Sequence, residues 1–154
     1  MIKSENLTDR EVVVSRVLNA PRELVWEAWT DPQHIVNWWG PNDFITTVEQ
    51  MDFRVGGIWL HTMTHIDGTR YPNHSIFKEI KYPSKIVYDH GDGEKIWFET
   101  TVTFEETVGG THVTIRQLFT SKASRDEVVE KSGAIEGGKQ HLNKLEIYIK
   151  ENLL

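Results

Sequence analysis

The amino-acid sequence predicts an α+β fold in which a seven-stranded antiparallel sheet curves around one long C-terminal helix. Three observations support this prediction. A valine-rich segment and two short helical segments come first, strand-like runs then follow one another with only short turns between them, and the chain ends in a long segment with a single apolar stripe. Because no helical crossover separates the runs, neighbouring strands are expected to be antiparallel. The expected order is β-α-α-β6-α in one domain that spans residues 1–154.

The N-terminal part contains a predicted strand at residues 11–18 and two short helical segments. Valine enrichment predicts the strand, and Asn19-Ala20-Pro21 supplies a cap-like residue and a proline suited to the first helical turn. The apolar residues that share one face of the first helix are Leu24, Val25, Ala28 and Trp29. A second short helix ends at Trp38-Trp39-Gly40-Pro41, where each indole can remove roughly 200 Å² of apolar surface from water.

Strand-like runs bounded by glycine or proline turns fill the middle of the sequence. They cover residues 44–53, 58–66, 73–80, 85–90, 96–105 and 111–119. Successive side chains of a strand point to opposite faces of the sheet. Trp59, His61 and Met63 are therefore expected on one inner face, and Ile96 and Phe98 on the inner face of a later strand.

The C-terminal segment is predicted to be one long helix. Ser124 and Glu127 have the spacing of a capping box at its start. Apolar residues then recur every seven positions, at Val128, Ile135, Leu142 and Ile149. Gly137-Gly138 interrupts this helix at a cost of about 1 kcal/mol per glycine relative to alanine, which indicates close approach of another backbone or room for another molecule. His141 is expected on the flank of the helix.

One helix can cover only part of the apolar face of such a sheet, so a cavity is expected beneath it. The short helices that carry Trp38 and Trp39 would close one mouth of this cavity. The arrangement is a helix-grip architecture. The residues expected to line the cavity and bind a ligand are Trp39, Trp59, His61, Met63, Phe77, Tyr88, His90, Phe98, Val102, Phe119, Ile135, Gly138 and Leu142.

Composition restricts the classes of partner. The 17 basic and 23 acidic side chains give a net charge of −6, which argues against nucleic acid or an anionic membrane surface as a partner. The absence of cysteine excludes disulfides and thiolate chemistry. No signal peptide and no apolar run of membrane-spanning length is visible in the sequence, so a cytoplasmic location without membrane insertion is expected.

The motifs of common catalytic and cofactor sites are missing from the sequence. His61 and His65 lie four residues apart on one strand face, a separation of roughly 13 Å that prevents both from binding one zinc ion. There is no nucleophile elbow, no P-loop and no dinucleotide fingerprint. Acid–base chemistry by His61, Tyr88, His90 and Glu79 stays open. Neither a metal nor a cofactor is expected.

Several short motifs resemble those of a known superfamily. Asn19-Ala20-Pro21, Trp38-Trp39-Gly40-Pro41 and Arg54-Val55-Gly56-Gly57 with Trp59 carry the resemblance, which covers about residues 12–149. They are similar to motifs of the START-like (SRPBCC) superfamily, in particular of bacterial proteins named after the activator of the heat-shock protein 90 ATPase. The resemblance implies a helix-grip fold shared with the major birch pollen allergen, polyketide cyclases and lipid-transfer domains. It implies no particular reaction, because this fold carries several functions.

Three positions depart from the pattern of the relatives. Many relatives carry tryptophan at the position of Gly138, and aromatic or apolar residues at those of His61 and His90. The resemblance therefore implies a wider and more polar cavity in this chain. Replacing Gly138 with tryptophan is expected to fill the cavity and leave the fold intact. His61 and His90 are expected to hydrogen-bond a carbonyl or hydroxyl group of the ligand.

The sequence thus favours a protein that binds a small hydrophobic molecule, such as a lipid, a polyketide-like compound or an aromatic compound. The usual composition of ligand pockets, apolar with a few polar groups, supports this interpretation. One alternative is a cyclase- or aromatase-type enzyme that acts on a hydrophobic ketone. Another is a co-chaperone-like interaction module with a chaperone as partner. Neither alternative is favoured, since no catalytic dyad and no second domain is visible in the sequence.

Overall fold

A computed structural model describes residues 7–154 and contains a single curved sheet of seven strands. The strands are β1 (Glu11–Leu18), β2 (Phe44–Met51), β3 (Ile58–His65), β4 (Arg70–Lys81), β5 (Lys85–Gly91), β6 (Ile96–Thr107) and β7 (Gly110–Phe119). Their spatial order is β1-β7-β6-β5-β4-β3-β2, and every neighbouring pair is antiparallel. The predicted helix-grip fold class is confirmed.

The helices lie before and after the meander of strands. They are α1 (Arg22–Thr30), α2 (Pro32–Ile35), α3 (Lys122–Ser132) and α4 (Ala134–Asn152), and a short 3-10 turn at Leu7–Arg10 precedes β1. Two C-terminal helices stand where one was predicted, because Gly133 adopts φ +60° between them. The predicted capping box of Ser124 with Glu127 was also wrong. Ser121 is the N-cap of α3, and its hydroxyl accepts a hydrogen bond of 3.1 Å from the Ser124 backbone N–H.

A bulge between β5 and β6 changes which side chains face inward. The pairing register shifts between His90 and Gly91. A Cβ atom at Gly91 would lie only 1.9 Å from the carbonyl oxygen of Lys95, so the bulge requires glycine there. Ile96 consequently leaves the alternation of β6 and is 50% exposed, and its predicted inward orientation was wrong. Phe98, two residues later, keeps the inward orientation that alternation predicts.

Helix α1 and the second half of α4 both contribute buried residues to the hydrophobic core. Trp26 and Trp29 of α1 pack edge-on against Phe104, with ring centroids 5.4 and 5.5 Å apart. The indole N–H of Trp38 donates a hydrogen bond of 3.0 Å to the carbonyl oxygen of Ala28. Along α4 the buried residues begin only at His141. The first half of this helix therefore covers the sheet without filling the space beneath it.

Within residues 7–154, no helix has both the length and the apolar character needed to cross a bilayer.

Candidate ligand-binding site

A cavity of about 230 Å³ lies between the first half of α4 and the inner face of the sheet. Its wall is formed by strands β1 and β3 to β7, helices α3 and α4, and the segment that follows α2. None of the described residues that line it is Asp, Glu, Lys or Arg. The lining residues are Val12, Val14, Trp39, Gly40, Pro41, His61, Met63, Asn73, Tyr88, His90, Phe98, Ile115, Gln117, Val128, Ala134, Gly137, Gly138 and His141.

The structure brings about half of the predicted site residues together on this wall. They are Trp39, His61, Met63, Tyr88, His90, Phe98 and Gly138. Six predicted residues do not line the cavity. Four of them belong to the packed core: Trp59, Phe77, Val102 and Leu142. Phe119 is buried, and Ile135 packs against the core. Alternation identifies the inner face of a strand, but it does not show where along the strand helices cover that face.

Core residues nevertheless support the wall from behind. The ring of Trp59 stacks on that of His61 with centroids 4.4 Å apart and an interplanar angle of 27°. Trp39 packs edge-on against Trp59 at 4.9 Å and against His61 at 5.7 Å. His61 is therefore held in one orientation by aromatic rings on two sides.

Hydrogen bonds connect Gly40 and Pro41, in the segment after α2, to side chains of α4. The Gly40 backbone N–H donates to Nδ1 of His141 at 3.2 Å. The ammonium group of Lys144 donates to the carbonyl oxygens of Gly40 at 3.1 Å and Pro41 at 3.3 Å. Burial lowers the pKa of Lys144. These bonds fix the position of Trp39, which has one side on the cavity and the other on the core.

The hydrogen bond from Gly40 also determines the tautomer of His141. Because Nδ1 accepts a hydrogen bond from Gly40, the neutral ring carries its proton on Nε2. His141 is only 8% exposed, and Nε2 has no hydrogen-bond partner among the described residues. The ring lines the cavity and packs edge-on against Trp39 with centroids 4.2 Å apart. His141 thus contributes a ring to the cavity wall and has one buried N–H donor without a partner among the described residues.

His61 has no hydrogen-bond partner for either ring nitrogen within the described part of the chain. Its side chain is 1% exposed and lines the cavity from β3. A neutral imidazole has one donor and one acceptor nitrogen. An unsatisfied buried polar group costs about 1–3 kcal/mol, so His61 destabilises the fold unless a further molecule provides its partners.

His90, the other predicted polar anchor, is already satisfied within the protein. The Asn73 side-chain NH₂ donates to the carbonyl oxygen of Tyr71 at 2.8 Å, which leaves its amide oxygen to accept from Nε2 of His90 at 2.9 Å. The Ser75 hydroxyl lies 3.1 Å from Nδ1 of His90 and donates to it. The predicted hydrogen bond from His90 to a ligand is therefore replaced by bonds within the sheet, and the ring stacks on Phe98 at 4.7 Å.

All three cavity histidines are neutral at pH 7. Burial, with smaller contributions from His90 and His141, lowers the pKa of His61 to about 3. Burial and the nearby Lys144 lower the pKa of His141 to about 3, and burial lowers the pKa of His90 to about 4. Burial also raises the pKa of Tyr88. The site thus has hydrogen-bonding groups but no formal charge.

The two glycines of α4 have different surroundings. A Cβ atom at Gly138 would lie 2.9 Å from Cγ2 and 3.1 Å from Cγ1 of Val14, so this glycine allows α4 to approach β1 closely. A Cβ atom at Gly137 would meet only Pro41, at an ordinary 3.6 Å. The expectation that tryptophan fits at position 138 is not supported, because the free space lies at Gly137.

His141 was expected on the flank of the helix, but it is buried and lines the cavity. Its burial depends on Trp38 and Trp39, whose rings pack on it with centroids 4.8 and 4.2 Å away. These tryptophans are about a hundred residues distant in sequence, so helical periodicity gave no signal of the contact. The one available signal was the position of His141 beside Leu142, at the edge of the apolar stripe.

A larger groove lies outside this cavity, near the C-terminal end of α4. It has a volume of about 440 Å³ and is lined by Leu18, Asn19, Ala20, Glu146, Ile147, Ile149, Lys150 and Leu154. None of its described residues has a buried, unpartnered polar side-chain atom. Among residues 7–154, no group of three or more His, Cys, Asp or Glu side chains is arranged to hold a metal ion. The cavity under α4 is therefore the candidate site.

Comparison with known proteins assigns the chain to a family. The profile described as "Activator of Hsp90 ATPase homolog 1-like protein" matches residues 19–150. The chain belongs to this family, within the START-like (SRPBCC) superfamily, and the resemblance found in the sequence is confirmed. No curated protein matches the chain.

Solved structures with the same fold include several bacterial proteins. A crystal structure of a protein from Mycobacterium smegmatis has a TM-score of 0.85 at 24% identity, with 95% of this chain and 94% of that chain covered. An NMR structure of a protein from Arthrobacter aurescens has a TM-score of 0.85 at 25% identity and coverages of 97% and 91%. An AHSA1-like protein from Aeromonas hydrophila has a TM-score of 0.73 at 25% identity, with 92% of each chain covered. These similarities support the fold.

Proposed function

We propose that this protein binds a small, mostly apolar molecule in the cavity under α4. The observation that carries the proposal is the presence of two buried histidines on the wall of an otherwise apolar cavity: both ring nitrogens of His61, and Nε2 of His141, have no partner among the described residues. Ligand sites typically combine an apolar lining with a few polar groups that orient the ligand.

The size of the cavity limits the ligand. An engineered apolar cavity of about 150 Å³ binds benzene, and small-molecule sites generally span about 300–1,000 Å³. At about 230 Å³, the cavity suits a molecule of one or two rings better than a long-chain lipid. This narrows the ligand classes that the sequence suggested to small cyclic compounds.

Binding is favoured over catalysis by the electrostatics of the same groups. A general base works best when its pKa lies near the operating pH. The pKa values of His61 and His141 are lowered to about 3, so both rings are weak bases at neutral pH. They are suited to donating and accepting hydrogen bonds without proton transfer.

Iodobenzene tests the proposal, because its heavy atom quenches tryptophan emission on contact and the molecule has a single apolar ring. Trp39 lines the cavity, whereas Trp97 lies outside it and is 38% exposed. We expect saturable, one-to-one quenching that is lost in Trp39→Phe and retained in Trp97→Phe. Binding to Trp39→Phe is then measured by NMR, which separates loss of the reporter from loss of the site. Quenching that rises linearly without saturation in the wild type would refute the proposal.

A further inference from the structure

The ring nitrogens of the three cavity histidines can be assigned individually as donors and acceptors. His141 offers one donor, Nε2–H, because its Nδ1 is occupied by the Gly40 N–H. His61 offers one donor and one acceptor, because neither of its nitrogens has a partner among the described residues. His90 offers none, since Asn73 and Ser75 occupy both of its nitrogens.

This assignment distinguishes between polar groups that a ligand could carry. A ketone, an ether or a carboxylate can only accept hydrogen bonds, so each would satisfy His141 and leave the acceptor nitrogen of His61 unpaired. A hydroxyl group has one donor and two acceptor lone pairs. It therefore supplies both kinds of partner, an acceptor for Nε2–H of His141 and a donor for the acceptor nitrogen of His61.

Charge gives a second, independent criterion. None of the described lining residues is Asp, Glu, Lys or Arg, and burial lowers the pKa values of the three lining histidines, so that their neutral forms are favoured. An anionic ligand would therefore lose its hydration without meeting a cation, which is costly in an apolar cavity. The cavity selects for an uncharged molecule.

The aromatic wall gives a third criterion. The rings of Trp39, Tyr88 and Phe98 line the cavity together with those of the histidines. Aromatic pairs in edge-on or offset geometry contribute attraction beyond the burial of their area, so a flat aromatic ring fits this lining better than a flexible chain.

We infer that the ligand is an uncharged aromatic alcohol of the phenol type, whose hydroxyl group donates to His61 and accepts from Nε2–H of His141. This inference rests on the proposed function, because it assigns the chemistry of the molecule that the cavity binds. A phenolic hydroxyl ionises near pH 10, so such a ligand is neutral under ordinary conditions.

Four probes that share one ring system test the inference at pH 7 by isothermal titration calorimetry: naphthol, its methyl ether, naphthalene and naphthoate. Leaving one buried nitrogen unpaired weakens binding by about tenfold. We therefore expect naphthol to bind about tenfold more tightly than the ether, in which a methyl group replaces the donor proton. Naphthoate is expected to bind more weakly than naphthol, because it is charged and lacks a donor.

Variants of the two histidines assign the hydrogen bonds. His61→Phe keeps an aromatic ring against Trp59 and should abolish the difference between naphthol and its ether. His61→Gln retains a donor and an acceptor and should restore part of that difference. His141→Phe should weaken both ligands alike, because both accept a hydrogen bond from this ring. His112→Gln, at a half-exposed histidine that does not line the cavity, serves as the control and should change nothing. Circular dichroism verifies the fold of each variant.

The outcomes separate the inference from the proposed function. Naphthoate binding most tightly, equal binding of naphthol and its ether, or unchanged discrimination in a folded His61→Phe variant would each overturn the inference. If iodobenzene still saturates the cavity in any of these cases, the proposed function survives. If neither iodobenzene nor any of the four probes binds, both fail together.

Discussion

At His61, a polar side chain occupies a position where burial and packing favour an apolar one. Its ring is 1% exposed, stacks on Trp59 and has no hydrogen-bond partner in the described structure. The lowered pKa follows from the same burial, because the charged ring would lose its hydration. The cost of this residue to the fold is explained if its nitrogens are needed for a ligand.

Burial of His61 makes stability depend on pH. The folded pKa is about 3, below the ordinary value of 6.5, so the unfolded chain takes up a proton between these values and the folded protein does not. This difference in proton uptake makes the free energy of unfolding depend on pH. The contribution is constant above about pH 6.5 and falls by about 1.4 kcal/mol per pH unit as the solution is acidified toward pH 3. His90 and His141 act in the same direction, since their pKa values are also lowered.

We expect His61→Phe to be less sensitive to acid than the wild type. Between about pH 6.5 and 5, the variant should lose about 2 kcal/mol less stability, because one linked proton is removed. Urea denaturation at both pH values measures this difference, with His112→Gln as the matched control. Equal losses for the wild type and His61→Phe would show that the folded protein protonates this ring as readily as the unfolded chain does.

At the scale of single residues, the sequence predicted which side chains face inward better than it predicted their hydrogen-bond partners. Alternation along β3 and β5 correctly directed His61, Tyr88 and His90 inward. It could not show that His90 meets Asn73 and Ser75 on the neighbouring strand. Strand register decides those contacts, and register depends on long-range packing that a single sequence does not display.

At the scale of elements, three glycines near the start of α4 have separate physical roles. Gly133 ends α3 with a positive φ and has open space around it. Gly137 borders the cavity, and Gly138 lets α4 approach Val14 of β1. The sequence pattern placed all three glycines in one long helix. The seven-residue spacing of the apolar residues continues across Gly133, so it did not show that one helix ends there and another begins.

Alanine at each glycine should change stability differently. Gly133→Ala is expected to cost about 1 kcal/mol, because its left-handed backbone disfavours a Cβ atom. Gly137→Ala should stabilise by up to about 1 kcal/mol through helix propensity, since its Cβ atom makes only an ordinary contact with Pro41. Gly138→Ala should destabilise by about 1–3 kcal/mol, because its Cβ atom would crowd Val14. Chemical denaturation of the three variants measures these changes. A gain in stability for Gly138→Ala would show that α4 can move away from β1 without cost.

At the scale of the whole molecule, the fold follows from its turns and alternation. Short glycine and proline turns restricted the six later strands to a meander, and β1 completes the sheet by pairing with β7. The meander and the seven-stranded antiparallel sheet could be predicted from the sequence, whereas the partner of β1 could not. The volume and position of the cavity could not, because they depend on how far α1 and α4 extend over the sheet and on the bonds that fasten Gly40 to α4.

Ligand binding should stabilise the whole fold to the same extent at pH 6 and pH 8. A ligand present at 100 times its dissociation constant adds about 2.7 kcal/mol, which corresponds to a rise in Tm of about 5–11 °C for a domain of this size. His61 and His141, with pKa values of about 3, stay neutral across this range, and a phenol does as well. Differential scanning calorimetry with saturating naphthol at both pH values measures the two increments. An increment that shrinks markedly at pH 6 would mean that a binding histidine becomes charged near neutrality, and the site would then be more hydrated than its burial indicates.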